Sequence, residues 1–324
     1  MRASSQEWQV GELSETGPVR DENQDRMYTA RVGLGQLHIV ADGMGGHKGG
    51  ALAAQMTIDG LRRDLDQAPP ATPVAHLLRQ AFERTNQDVY RIAHSGDPET
   101  QGMGSTAVLL LISDRTAHIA HVGDSRAYLY RKGRLRRMTT DHTRAQRMVE
   151  AAILTPEQAL DHPSASVLER AVGIKPAIEV DITRIHPVKK GDGILLCTDG
   201  LSGCVSDGEI EDILRGAPPI QEIPKRLIEI ALRKGSKDNI TVQYLQYGES
   251  KRRSRGIASI LRWAVVAAVA GALLAGLIYF LIVKSPKNAS PGLSNRNGAS
   301  PAISTLPSFV PALNSRQALG LPKY

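Results

Sequence analysis

Three apolar runs in this chain stop on an aspartate. Leu37-His38-Ile39-Val40-Ala41 leads into Asp42-Gly43, Ile119-Ala120-His121-Val122-Gly123 into Asp124, and Ile194-Leu195-Leu196-Cys197-Thr198 into Asp199-Gly200. Short apolar runs bounded by turn residues read as buried strands. A further aspartate, Asp238, stands just before the run from Asn239 to Tyr247. Carboxylates at strand ends sit on a rigid scaffold with their oxygens free to face a cleft, which suits a hard divalent cation. Gathered carboxylates repel one another until a cation neutralises them, so a fold that brings these four together asks for metal. Each alone has a plainer use, because Asp-Gly is first a turn signal. The Asp-Gly pairs at 59–60, 192–193 and 207–208 read as a helix residue and turns. Periodicity does not say whether the four aspartates meet.

The pattern around them predicts an α+β chain. Helical spacing occurs at Ala51, Ala54, Ile58, Leu61 and Leu65, at Val74, Leu77, Leu78, Ala81, Phe82, Val89 and Ile92, and at Ile220, Ile223, Leu227 and Ile230. Strands are expected near 7–13, 26–32, 36–41, 104–112, 116–122, 126–131, 179–186, 193–198 and 240–247. Strands come in consecutive runs with helices between them as pairs, unlike a βαβ alternation. Residues 142–175 read as short helices in a flap-like insertion.

The net charge of +7 is unevenly placed. Residues 251–324 hold ten Lys/Arg and no Asp/Glu, which leaves 30 basic and 33 acidic residues in 1–250, a net of −3. A mildly acidic main region lacks the dense cationic footprint that a nucleic-acid backbone needs. The two cysteines, Cys197 and Cys204, have no Cys-x-x-Cys or Cys/His ladder beside them, which argues against a disulfide framework or structural zinc. His118 and His121, three apart on a strand, face opposite ways and make poor zinc partners.

The 20 residues Ala264–Val283 are uncharged and mostly apolar, enough for one transmembrane helix of about 30 Å. Lys251, Arg252, Arg253, Arg255 and Arg262 precede the run, while Lys284 and Lys287 follow closely. Positive-inside bias then puts 1–250 in the cytoplasm, and the opening residues offer no signal peptide. The expected divisions are a globular main domain over 1–247, a basic juxtamembrane linker over 248–263, the span 264–283 and a disordered extracytoplasmic tail over 284–324.

The order of motifs adds to this reading. Arg20-Asp21-Glu22-Asn23-Gln24-Asp25, Asp42-Gly43-Met44-Gly45-Gly46-His47, Gly102-Met103-Gly104-Ser105-Thr106 and Val122-Gly123-Asp124-Ser125-Arg126 come first. Thr140-Asp141-His142-Thr143, Thr155-Pro156-Glu157 through His162-Pro163, Cys197-Thr198-Asp199-Gly200-Leu201 and Lys237-Asp238-Asn239-Ile240-Thr241 follow. In this set, over about residues 8–247, the chain resembles the bacterial metal-dependent protein phosphatases of the type 2C family. The resemblance implies a β-sandwich of two antiparallel sheets flanked by helix pairs, and hydrolysis of phosphoserine and phosphothreonine in proteins with two or three Mn²⁺ or Mg²⁺ ions. It implies that Asp42 bridges two metals, Gly43 offers a backbone carbonyl, Asp199 and Asp238 complete the centre, Asp25 is a ligand or lies just behind it, and Asp124 serves a weaker third site. Arg20 takes the place of the phosphate-binding arginine, a role its permanently charged fork suits. The implied chemistry is attack by a metal-activated water, with no covalent phosphoenzyme. Expected partners are Ser/Thr kinases and their substrates, with a monomeric catalytic domain anchored to a bacterial inner membrane through 264–283.

Some residues depart from the family pattern. Met44 stands where eukaryotic relatives carry a histidine proposed as the leaving-group acid, which leaves water, His47 or His142 for that role. Asn239 is a further candidate behind the site. Gln24 replaces an acidic residue, and Ala152 a glycine in the flap. A catalytically silent phosphoprotein-binding scaffold is the alternative function. A nucleotide loop at 43–50 is excluded by the missing Gly-Lys-Ser/Thr.

Overall fold

The computed structural model describes residues 8–46, 48–68, 72–248 and 268–280. The first elements are β1 (Trp8–Glu15), β2 (Asp25–Val32), β3 (Gly35–Met44), α1 (Gly49–Asp66), α2 (Val74–Ala93), β4 (Gly104–Ser105) and β5 (Ala107–Ser113). The chain continues with β6 (Thr116–Val122), β7 (Arg126–Arg131), β8 (Arg134–Arg137), α3 (Arg144–Glu150), α4 (Pro156–Leu160) and β9 (Asp181–Ile185). The last elements are β10 (Gly193–Cys197), α5 (Asp199–Ser202), α6 (Asp207–Arg215), α7 (Glu222–Arg233) and β11 (Ile240–Tyr247). One antiparallel sheet has the order β1-β11-β10-β7-β8, and the other β2-β3-β5-β6-β9 with β4 paired to β3.

Strand periodicity sorts the apolar side chains into three layers. Val40, Val108, Leu110 and Ile119 face Leu129, Ile194, Leu196 and Leu245 between the sheets. Their alternates Leu37, Ile39, Leu109 and Leu111 pack against Leu61 and Phe82 of α1 and α2. On the far side, Tyr128, Leu195, Cys197 and Val242 meet Ile210 of α6 and Leu227 of α7. This is the α+β sandwich flanked by helices that the resemblance implies.

The structure corrects the sequence reading in particular places. β3 does not stop before Asp42 but continues to Met44, pairing Gly43 and Met44 with Ser105 and Gly104. The single strand expected over 104–112 breaks at Thr106, whose N–H donates to the Asp42 carbonyl at 2.8 Å and whose Oγ1 accepts the Asp42 N–H at 3.0 Å. β8 was hidden by four residues, Arg-Leu-Arg-Arg, that bear three charges. α6 lacked an expectation although Ser206 and Glu209 form a capping box, a signal present in the sequence.

The chain divides into one compact unit, Met1–Arg253, and a second, Ser254–Tyr324. In the second, residues 268–280 are helical and exposed, with Val269, Leu273, Leu277 and Phe280 among the uncovered side chains. Among the described residues no helix is long and apolar enough to cross a membrane. Residues 264–267 and 281–283 of the expected span lie outside the described residues, as do the tail and nearly all of the linker.

Candidate active site

Asp25 opens β2 and pairs in register with Asp42 on β3, so the two carboxylates begin as cross-strand neighbours. Asp124 follows the turn after β6, Asp199 begins α5 at the end of β10, and Asp238 precedes β11. A cleft of about 930 Å³ is lined by Asp42, Asp124, Asp199 and Asp238, with Arg20 and Gly43. Asp25 is buried beneath them. The structure therefore brings to one end of the sandwich every aspartate singled out in the sequence.

Gly43 is required by the close approach of α1. A Cβ there would lie 1.9 Å from the Gly50 carbonyl oxygen, so the segment tolerates no side chain at that point. Thr106 grips both backbone groups of Asp42 and meets Ser125 Oγ at 2.7 Å, linking the Asp42 strand to the Asp124 turn. Asn239 is buried and pins the β1–β2 loop. Its Nδ2 donates to the carbonyls of Thr16 at 2.8 Å and Glu22 at 3.1 Å, and its Oδ1 accepts the Gln24 N–H at 2.8 Å. That loop carries Arg20, whose Nη2 donates to Asp238 Oδ2 at 2.7 Å while the side chain stays half exposed.

Asp25 is held from one side. Its Oδ2 accepts hydrogen bonds from Thr198 Oγ1 at 2.9 Å and Thr241 Oγ1 at 2.7 Å, whereas its Oδ1 is buried without a partner. Burial pushes its carboxyl up to about 7, against the two threonine bonds and with the help of Asp199 and Asp238. Burial, then Asp25 and Asp199, hold Asp42 well above the ordinary carboxylate range. Asp124 is raised by burial and by Asp199, and Asp199 by burial and by Asp238. Mutually repelling carboxylates, with orphaned oxygens on Asp25 and Asp199, form an all-oxygen donor set that fits hard divalent cations.

The remaining candidates fall elsewhere. Met44 lines the cleft with an apolar thioether. His47 lies outside the described residues. His142 is buried behind the Asp124 turn rather than in the cleft, and its Nδ1 accepts the Gly123 N–H at 3.1 Å. Burial and His121 push its pKa down to about 4. The sequence missed a cluster here, because His121 pairs not with His118 but with His142 and Asp181, their ligand atoms within 4.8 Å of one another. A backbone donor on Nδ1 leaves the ring proton of neutral His142 on Nε2, 3.3 Å from Asp181 Oδ2, and that proton stands where a cation would bind. His121 Nε2 is engaged by the Thr140 carbonyl at 2.8 Å, and Arg170 already pairs with Asp181 at 3.0 Å. The cluster ties the root of the flap to the Gly123 turn. Ala152 in the flap has φ +56°, the conformation a glycine adopts without strain.

A family model described as Protein phosphatase 2C matches residues 19–241. The chain is 38% identical over 229 residues, 71% of its length, to the serine/threonine protein phosphatase PstP of Mycobacterium tuberculosis, and spans 43% of that protein. It is 33% identical over 245 residues to protein phosphatase PhpP of Streptococcus pneumoniae, covering 74% of this chain and 98% of that one. The crystal structure of the PstP catalytic domain in complex with two manganese ions superposes with a TM-score of 0.65 at 34% identity, over 75% of this chain and 99% of that one.

Proposed function

The chain belongs to the protein phosphatase 2C family, and from that premise we propose that it is a metal-dependent phosphatase acting on phosphoserine and phosphothreonine in proteins. The observation that carries the reading is one cleft that gathers Asp42, Asp124, Asp199, Asp238 and Arg20 from five separate segments, over buried Asp25 with a free oxygen. The full set of carboxylates favours an enzyme over a silent scaffold.

Asp42, Asp199 and Asp238, with the Gly43 carbonyl, would hold two Mn²⁺ or Mg²⁺ ions, Asp25 would support them, and Asp124 would serve a third. Bound there, such ions supply Lewis acidity and lower the pKa of a coordinated water. Arg20 orients the phosphoryl group: one Nη2 hydrogen is taken by Asp238, and the remaining N–H groups of the fork are available to phosphoryl oxygens. Asn239 and Gln24 fix the loop that carries Arg20, so the guanidinium meets phosphate without first being ordered. Among the described residues no histidine lines the cleft. We therefore assign the leaving-group proton to water.

The apolar run 264–283, with five cations before it and Lys284 and Lys287 after it, supports a single-span tether with the catalytic domain in the cytoplasm. Membrane-bound Ser/Thr kinases and their phosphorylated targets are the partners this tether favours. Hydrolysis of a phosphothreonine peptide by the full chain is measured with Mn²⁺, with Mg²⁺ and with chelator. Metal-dependent phosphate release that is lost in Asp199→Ala is expected, and a folded protein inactive with either metal would overturn the proposal. Retention of the full chain in the membrane fraction after a high-salt wash tests the tether, and its release would sink the anchoring.

A further inference from the structure

Beside the cleft lies a second groove of about 480 Å³, lined by Gly200, Gly203, Cys204, Ser236 and Lys237. Val19, Arg20, Asp199 and Asp238 border both, so the groove is continuous with the phosphate site on the side formed by α5 and the α7–β11 loop. The floor is firmly built. Ser236 Oγ donates to the Gly200 carbonyl at 2.8 Å, and a Cβ on Gly200 would lie 2.0 Å from the Asn239 carbonyl oxygen, so loop and helix pack backbone to backbone. Lys237 stands exposed on this groove and makes no ion pair with any described residue. The cleft proper differs in charge, because it is walled by Asp21 and Glu22 and, from the flap side, by the uncharged Ser166, Leu168 and Ile174.

We propose that this groove seats the polypeptide on one side of the phosphoresidue, and that Lys237 selects an acidic residue within that segment. The inference rests on the phosphatase reading and adds its substrate class. An extended phosphopeptide centred on Arg20 must leave the cleft in two directions. In one it passes Lys237 in a preformed channel; in the other it passes the uncharged Ser166, Leu168 and Ile174 of the flap. An acidic side chain is attracted on the first path and meets no cation in the flap-side lining on the second. A single exposed ion pair supports a preference of about two- to five-fold.

The test uses the full chain with Mn²⁺ and phosphothreonine peptides in which one glutamate is moved through the four positions on each side. A gain in kcat/KM of about three-fold or more is expected on one side only, carried by KM, and Lys237→Glu turns it into a loss. Cys204 supplies a second readout, since the other cysteine, Cys197, is fully buried. A bulky maleimide on Cys204 is expected to raise KM for the peptides at least five-fold while leaving p-nitrophenyl phosphate turnover unchanged, and Cys204→Ser abolishes the effect. Glutamate effects equal on both sides, insensitivity to Lys237→Glu, or equal loss with the small ester would overturn the groove while the phosphatase reading stands. No hydrolysis of any peptide or of the ester would remove both.

Discussion

Thr241→Val isolates the support beneath the metal-binding carboxylates. Valine keeps the shape of a fully buried side chain and removes one hydroxyl, which bonds Asp25 Oδ2 at 2.7 Å and Ser14 Oγ at 2.7 Å. The one hydroxyl proton of Thr241 goes to Asp25, so Ser14 donates to Thr241 and must turn its half-buried hydroxyl to another acceptor in the variant, while Asp25 is left with Thr198 alone. A hydrogen bond to a charged carboxylate contributes about 2 kcal/mol, and one to a neutral carboxyl about 1 kcal/mol. Burial first, with Asp199 and Asp238, raises the Asp25 carboxyl to about 7, while the two threonines oppose the shift. The folded state therefore holds this proton more tightly than the unfolded chain does, and the metal-free protein loses stability as pH rises from about 4 through about 7. Removing a bond that favours the charged form steepens that loss. Thermal unfolding in chelator should show Thr241→Val below the parent by about 4–8 °C at pH 8 and by about half of that at pH 5. Calorimetric titration should show Mn²⁺ binding weakened about ten-fold or more. Thr241→Ser, which keeps the hydroxyl, should restore both the pH profile and the affinity. If valine and serine variants share one pH profile and bind Mn²⁺ like the parent, the hydroxyl does not position Asp25 and the reasoning fails.

Asp199→Asn removes a charge beside Asp238, so the chelated protein should melt higher than the parent while Mn²⁺-dependent phosphothreonine hydrolysis disappears; a lower melting point in chelator would contradict the repulsion. Asp141→Ala strands Arg126, which is largely buried and bonds both carboxylate oxygens at 2.6–3.2 Å, and denaturant unfolding should register a loss of about 3–5 kcal/mol. Ala152→Gly relieves a residue at φ +56° and should slow amide exchange in α3 and α4, a gain of about 1 kcal/mol; faster exchange would mean that the strain is not local.

Much of the fold was legible because apolar periodicity reports which face of an element is buried. Ile39 and Val40, or Leu109 and Leu110, belong to opposite sides of one sheet by alternation alone, and the structure places them so. α1, α2 and α7 show the same directness. One feature that escaped notice was held by polar contacts from a remote stretch of the chain. The break at Thr106 exists because its hydroxyl and N–H turn to Asp42, 64 residues away, and no local pattern announces that. β8 escaped because an edge strand rich in arginine looks like a loop.

Asp42, Asp124, Asp199 and Asp238 were singled out by type and neighbours, whereas Asp25 and Arg20 came only with the family's order of motifs, which joined the set. Only the tertiary structure could show that Asp25 lies buried with one oxygen clamped and one free, since Thr198 comes from the N-cap of α5 and Thr241 from β11. Likewise it moved His142 from a possible acid in the cleft to a brace behind Gly123, and gave His121 a partner that strand periodicity could not supply. Local sequence determines which residues prefer to be buried, turned or capped, because those preferences arise from each residue and its near neighbours. Which oxygen is left unpaired among the described residues, and which cation faces a groove, is decided by packing between distant segments.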